Sequence, residues 1–128
     1  MTDTILTGPL VAAVADRLRE HAFQCWFYGD SVGFEGLIAA SDMTGDDRWA
    51  DFSHGFFRAW GARRHPWGED DNTAPGHAMC TIVERTGDQA LREAVLDLAR
   101  SFQGRRRVGP VSITFEDTLR SLRMPYGG

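Results

Sequence analysis

Two stretches of the chain bring aromatic rings beside carboxylates. One reads Cys25-Trp26-Phe27-Tyr28-Gly29-Asp30, the other His65-Pro66-Trp67-Gly68-Glu69-Asp70-Asp71-Asn72-Thr73-Ala74-Pro75-Gly76-His77. That pairing suits carbohydrate, since rings stack on the apolar faces of sugars and carboxylates bond hydroxyls or move protons. The same residues have a plainer account, in which the acids are solvated caps and Trp26 and Trp67 belong to a core. Composition does not separate the two. No metal is expected at Glu69-Asp70-Asp71, because His65 and His77 stand at no recognisable ligand spacing from the run. No nucleophile elbow surrounds Ser31, Ser53 or Cys25, so neither a serine nor a cysteine triad is expected. No cofactor is implied.

A repeat decides where these stretches lie. Thr44-Gly45-Asp46 returns 42 residues on as Thr86-Gly87-Asp88. After the first copy, Trp49, Phe52, Ser53, Phe56, Phe57 and Trp60 fall at i, i+3, i+4, i+7, i+8 and i+11. Leu91, Ala94, Val95, Leu98, Ala99 and Phe102 follow the second copy, position for position, and Thr7, Leu10, Val11, Val14, Ala15 and Leu18 form a third, weaker set. The spacing is that of an amphipathic helix, and a fixed period of this length marks a repeat architecture.

The pattern predicts helices over 8–22, 46–62 and 88–103, with shorter ones over 31–43, 75–85 and 116–124. Each Thr-Gly-Asp is then a junction. Gly45 and Gly87 suit the left-handed position that ends a helix, and Asp46 and Asp88 suit N-caps of the next. Gly33, Gly36, Ala39 and Ala40, with Gly76 and Ala78, make the intervening helices small-sided, fit for a crowded inner ring beneath an aromatic-rich outer one. The expected fold is all-α: αα-hairpin repeats of 42 residues, arranged as a solenoid or toroid. In a toroid the two aromatic–acidic loops gather at one mouth.

Bulk properties fit a single domain over residues 1–128. The chain is 42% hydrophobic and 25% charged, with a formal charge of −4. That balance argues against nucleic acid, and Arg105-Arg106-Arg107, the one basic run, reads as a solvated loop. No apolar run reaches membrane-spanning length. Cys25 and Cys80 read as reduced core thiols. Met1-Thr2-Asp3-Thr4 carries no positive charge ahead of its apolar stretch, so no secretory leader is read and a cytoplasmic location is expected.

Together these residues resemble a family. Trp26-Phe27-Tyr28 with Val32 and Gly36-Leu37, then Thr44-Gly45-Asp46, looks like the first hairpin of the unsaturated uronyl hydrolases, the six-hairpin glycosidases that include unsaturated rhamnogalacturonyl and glucuronyl hydrolases. Asp71-Asn72-Thr73-Ala74-Pro75-Gly76, then Thr86-Gly87-Asp88, is similar to the family's second inner helix. The likeness covers roughly residues 10 to 103 and implies about half of an (α/α)6 toroid. It implies an activity too: hydration of the C4–C5 double bond of the terminal unsaturated uronic acid on lyase-generated oligosaccharides. Asp71 matches an assisting catalytic aspartate. Trp26 and Tyr28 match positions lining the sugar pocket, and Asn72 and His77 are taken with them as substrate-binding.

In that family the principal acid/base aspartate follows the third hairpin in a Trp/Tyr-x-Asp stretch. Met124-Pro125-Tyr126-Gly127-Gly128 stands where the stretch would begin, and Asp117, in Phe-Glu-Asp-Thr, does not match it. The expectation is therefore the N-terminal three hairpins of a shortened barrel, able to self-associate through exposed edge helices. Two other readings stay open: a non-catalytic αα-repeat module that binds a partner, and another (α/α)6 carbohydrate enzyme.

Overall fold

In a computed structural model, residues 7–23, 28–62, 76–104 and 107–112 are described. They form five helices: α1 (Gly8–Arg19), α2 (Tyr28–Thr44), α3 (Arg48–Ala62), α4 (Gly76–Thr86) and α5 (Gln89–Gln103). A minimal antiparallel hairpin, β1 (Arg107–Val108) and β2 (Val111–Ser112), pairs Arg107 with Ser112 and Val108 with Val111. The class is all-α. The hairpin occupies part of the stretch read as a solvated basic loop, and its cause is local. Gly109 takes a left-handed φ of 59° and Pro110 follows it, a pattern that closes two-residue hairpins. Arg107 is exposed, as a solvated residue should be, and its Nη2 donates to the Pro110 carbonyl at 3.2 Å.

The two Thr-Gly-Asp junctions are built alike up to their aspartates. Gly45 and Gly87 have φ of 73° and 68°, and their N–H groups return to the carbonyls of Ser41 and Val83 at 2.9 and 2.8 Å. That is the bond expected where one left-handed residue ends a helix. Thr44 and Thr86 donate Oγ1–H to the carbonyls of Ala40 and Ile82, and each hydroxyl accepts from the N–H of the aspartate two residues on. At the aspartates the copies diverge. Asp88 caps α5 as expected, accepting from Leu91 N at 3.0 Å. Asp46 instead accepts from Arg48 N, only two residues on, and α3 takes its first turn from the Asp47 carbonyl, which accepts from Asp51 N.

Helices neighbouring in sequence pack together, and so do alternate ones: α1 with α3, α3 with α5, and α2 with α4. Two cross-links set the α2–α4 register. His77 on α4 meets Glu35 on α2, and eight residues along α4 Arg85 meets Asp42, seven along α2. The separations stay nearly constant along both helices, so α2 and α4 run parallel.

Phe34, Leu37, Trp49, Phe57, Ala78, Met79 and Ile82 are buried at the centre. Phe23 stacks on Phe34 at 4.3 Å between ring centroids, and Phe34 meets Phe57 edge-on at 4.6 Å. The small residues of the intervening helices accept side chains from outside their own layer. A methyl on Gly33 would stand 2.8 Å from Phe23 Cε1; Gly36 faces Leu18 of α1, and Gly76 faces Leu98 of α5. Helix α1 ends at Arg19, short of the expected 22, and Phe23, four residues on, lies in the Gly33 notch.

Two sequence expectations change in space. Cys80 is an exposed thiol and not a core one, because α4 buries Ala78, Met79 and Ile82 and turns Cys80 outward. In the weakest helical copy only part of the apolar stripe is covered. Ala15 is buried, whereas Leu10 and Val14 are 46% and 61% exposed beside Met43, at 59%. These residues line a groove of about 270 Å³ between α1 and α2, floored by Gly36, Ala39 and Ala40. Among the described residues no helix is long and apolar enough to cross a membrane. The expected 116–124 helix and Cys25 lie outside the described residues.

Candidate functional site

Because α2 and α4 run parallel, both begin at the same end of the molecule. In sequence, residues 24–27 precede α2 and residues 63–75 precede α4, and both stretches lie outside the described residues. By the register of Glu35 with His77, Gly76 stands level with Phe34. Helix α2 therefore begins six residues, or about 9 Å, further out than α4.

His77 sits in the first turn of α4, exposed, with Nδ1 3.2 Å from Glu35 Oε1. A carboxylate only accepts, so Nδ1 is the donor in this contact. Tyr28 is the first residue of α2, seven residues before Glu35. The Tyr28 side chain, and all of Trp26, Asp71 and Asn72, lie outside the described residues, as do Cys25, His65, Trp67, Glu69 and Asp70. The structure thus joins His77 to a partner on α2 and sets Tyr28 at the head of that same helix.

Glu35 was not singled out from sequence, although the repeat carries a signal for it: the period added to 35 gives 77. A second carboxylate–imidazole pair had no such signal. Asp30, in the first turn of α2, is buried, and its Oδ1 accepts from His21 Nε2 at 3.2 Å. The His21 ring stands edge-on to Phe23 at 4.9 Å. Five residues separate Asp30 from Glu35, about 140° around the helix, so this pair belongs to the α1 side of α2.

The remaining charges cluster where helices join. Asp88, 11% exposed at its side chain, caps Leu91 N and accepts from His54 Nε2 at 2.7 Å, with Arg58 Nε at 3.2 Å. Its carboxyl is held below the usual carboxylate range, chiefly by the Leu91 N–H and then by His54, against the opposing effect of burial. Arg85 bridges Asp42 and Asp47, and hydrogen bonds to these two carboxylates raise its affinity for its proton. Asp16 receives Trp49 Nε1 at 2.9 Å and Arg48 Nη2 at 3.0 Å. These groups tie helices to one another and to the junctions between them. Among the described residues no three His, Cys, Asp or Glu side chains are placed to hold a metal.

No protein-family model, no curated protein and no solved structure matches the chain.

Proposed function

We propose that the chain is an αα-hairpin repeat protein, about half of an (α/α)6 toroid. Its function is that of the unsaturated uronyl hydrolases, with a lyase-generated oligosaccharide as substrate and the cytoplasm as its place of action. The observation that carries the reading is the parallel register of α2 and α4. Glu35 and His77 meet at a sequence separation of 42, the period of the repeat, and α2 and α4 begin at one end, with Trp26 preceding the one and Asp71 and Asn72 the other in sequence.

In this reading a proton adds to C4 of the unsaturated uronic acid and a water oxygen to C5. The C5 hemiketal opens by cleavage of its ring C–O bond to a ketone. The hemiacetal so left at C1 then releases the neighbouring sugar as an alcohol. Asp71 assists the proton transfer, Trp26 and Tyr28 line the sugar pocket, and Asn72 and His77 bond its polar groups. General acid–base assistance of this kind contributes roughly 10²–10⁴-fold.

The test is turnover in deuterated water with product detection by NMR. Hydration within the site delivers one solvent deuteron to a single face of C4 of the released keto acid. Ordinary acetal hydrolysis frees an unsaturated uronate whose enol then takes up deuterium at C4 in solution, so deuterium on both faces of C4 would replace this reading.

The α1–α2 groove adds a partner to the proposal. Leu10, Val14 and Met43 form an exposed apolar edge, and such an edge favours association with another helical surface. We assign it to self-association.

A further inference from the structure

We propose that two copies of the chain pair across a two-fold axis near Val14, each α1 running antiparallel to its counterpart; the inference rests on the self-association read above. Every exposed large hydrophobic among the described residues stands on α1 or α2: Leu10, Val14, Val32 and Met43. On α2, Val32, Gly36, Ala39 and Met43 follow one another at helical spacing, so Val32 extends the stripe that floors the groove. Helices α4 and α5, at the other side of the stack, turn Glu84, Arg85, Arg92, Glu93, Asp97 and Arg100 to solvent. A copy docked head to tail would set those charges on an apolar groove and strip them of water. Among the described residues, the surface that matches the groove is the groove itself. A contact of one patch with the same patch is isologous, and it closes at two chains.

Charge chooses the direction of pairing, because the groove has unlike ends. Leu18 of α1 faces Gly36, and Leu10 lies at the far end with Met43, so α1 and α2 are antiparallel. Arg17 and Arg19 occupy the last turn of α1, at the Leu18 end. Asp42 lies in the last turn of α2, with Asp46 and Asp47 just beyond it, at the Met43 end. Within the chain Arg17 meets Glu20, Asp42 and Asp47 share Arg85, and Asp46 meets Arg48. All five of these arginines and aspartates at the groove ends are exposed and open to a further contact. A two-fold axis along the helices would stack Arg17 on its own copy. An axis across them brings the arginines of each copy to the aspartates of the other.

The area suffices for a reversible dimer. Helix α1 has 12 residues, and a face about 18 Å long and two helices wide removes on the order of 1,000 Å² from water when paired with itself. That is the lower end for a specific interface, so the pair is a weak one, formed as concentration rises.

The experiment uses single-cysteine chains in a Cys25→Ser, Cys80→Ser background, mildly oxidised at concentrations where sedimentation shows association. Val14→Cys, near the axis, should give disulfide-linked dimers and nothing larger, since a disulfide spans only about 6 Å between Cα atoms. Leu10→Cys lies four residues from the axis and should not link to itself, although the chain still associates. Separately, Arg17→Glu should raise the dimer dissociation constant about tenfold by facing the aspartates with a like charge. Leu10, Val14 and Arg17 are exposed, and circular dichroism checks that each variant keeps its helices. Self-linking by Leu10→Cys, with Arg17→Glu unchanged in affinity, would mean parallel pairing and overturn the proposal. Association without a Val14→Cys link, or a ladder of larger species, would overturn it as well. A wild-type chain that stays monomeric at every concentration would remove the self-association reading itself, and the two-fold contact with it.

Discussion

His54 Nε2 stands 2.7 Å from Asp88 Oδ2, so α3 is tied to the very residue that caps α5. Asp88 thus serves three donors at once: the Leu91 N–H, His54 and Arg58. Asp46, its counterpart in the other junction, is exposed and reaches Arg48 N and the Arg48 guanidinium. Asp88→Ala should therefore cost about 2 kcal/mol, the upper end for loss of an N-cap, and Asp46→Ala about 0.5 kcal/mol. Urea unfolding of the two variants measures the difference. Equal losses would mean that His54 and Arg58 contribute nothing.

Acid should erase the Asp88 contribution. Its carboxyl is depressed in the folded chain by the Leu91 N–H first and His54 next. A depressed folded pKa gives stability that is complete above the unfolded value, about 4, and is lost as pH falls through the folded one. The stability gap between wild type and Asp88→Asn should stay level through neutral and mildly acid pH, then close below about pH 4. A gap that widened there would contradict the assignment.

Gly33 and Gly45 resist substitution for different reasons. Gly33→Ala drives a methyl to 2.8 Å from the Phe23 ring, an overpacking cost of about 1–3 kcal/mol. Gly45→Ala meets open space but must hold φ at 73°, costing about 1–2 kcal/mol. Thermal unfolding of double variants separates the causes. Phe23→Leu should be strongly coupled to Gly33→Ala and additive with Gly45→Ala.

Self-association through the α1–α2 groove should depend on concentration and vanish in Val14→Asp. Sedimentation velocity reads this directly, and Val14 is exposed enough that a carboxylate there leaves the core alone. A Val14→Asp variant that associates as the wild type does would place the contact elsewhere.

Much of the helical scaffold is legible in sequence because helix periodicity and junction chemistry are local. The stripe from Trp49 to Trp60, the left-handed Gly45 and Gly87, and the Asp88 cap all follow from residues within a few positions of one another. What is not legible is where a side chain finds a partner after the chain has turned. The Phe23 ring in the Gly33 notch, His21 on Asp30, and Asp16 beneath Trp49 carry no spacing rule that announces them. Cys80 lies between these cases. Its apolar surroundings in sequence suggest burial, but the phase set by Ala78, Met79 and Ile82 turns it to solvent. For the candidate site, Glu35 follows from the repeat once His77 is chosen, whereas Asp71, Asn72 and Trp26 rest on resemblance.

The most direct measurement follows the ultraviolet band of the conjugated C4–C5 enol ether when the chain meets unsaturated disaccharides from pectin and glycosaminoglycan lyases. Hydration removes the conjugation, so the account predicts steady loss of the band with wild type. It also predicts a loss about 100-fold slower or more with Asp71→Asn, at an unchanged melting temperature. A band that persists with wild type on every disaccharide would contradict the account. So would an Asp71→Asn chain that turns over as fast as the wild type.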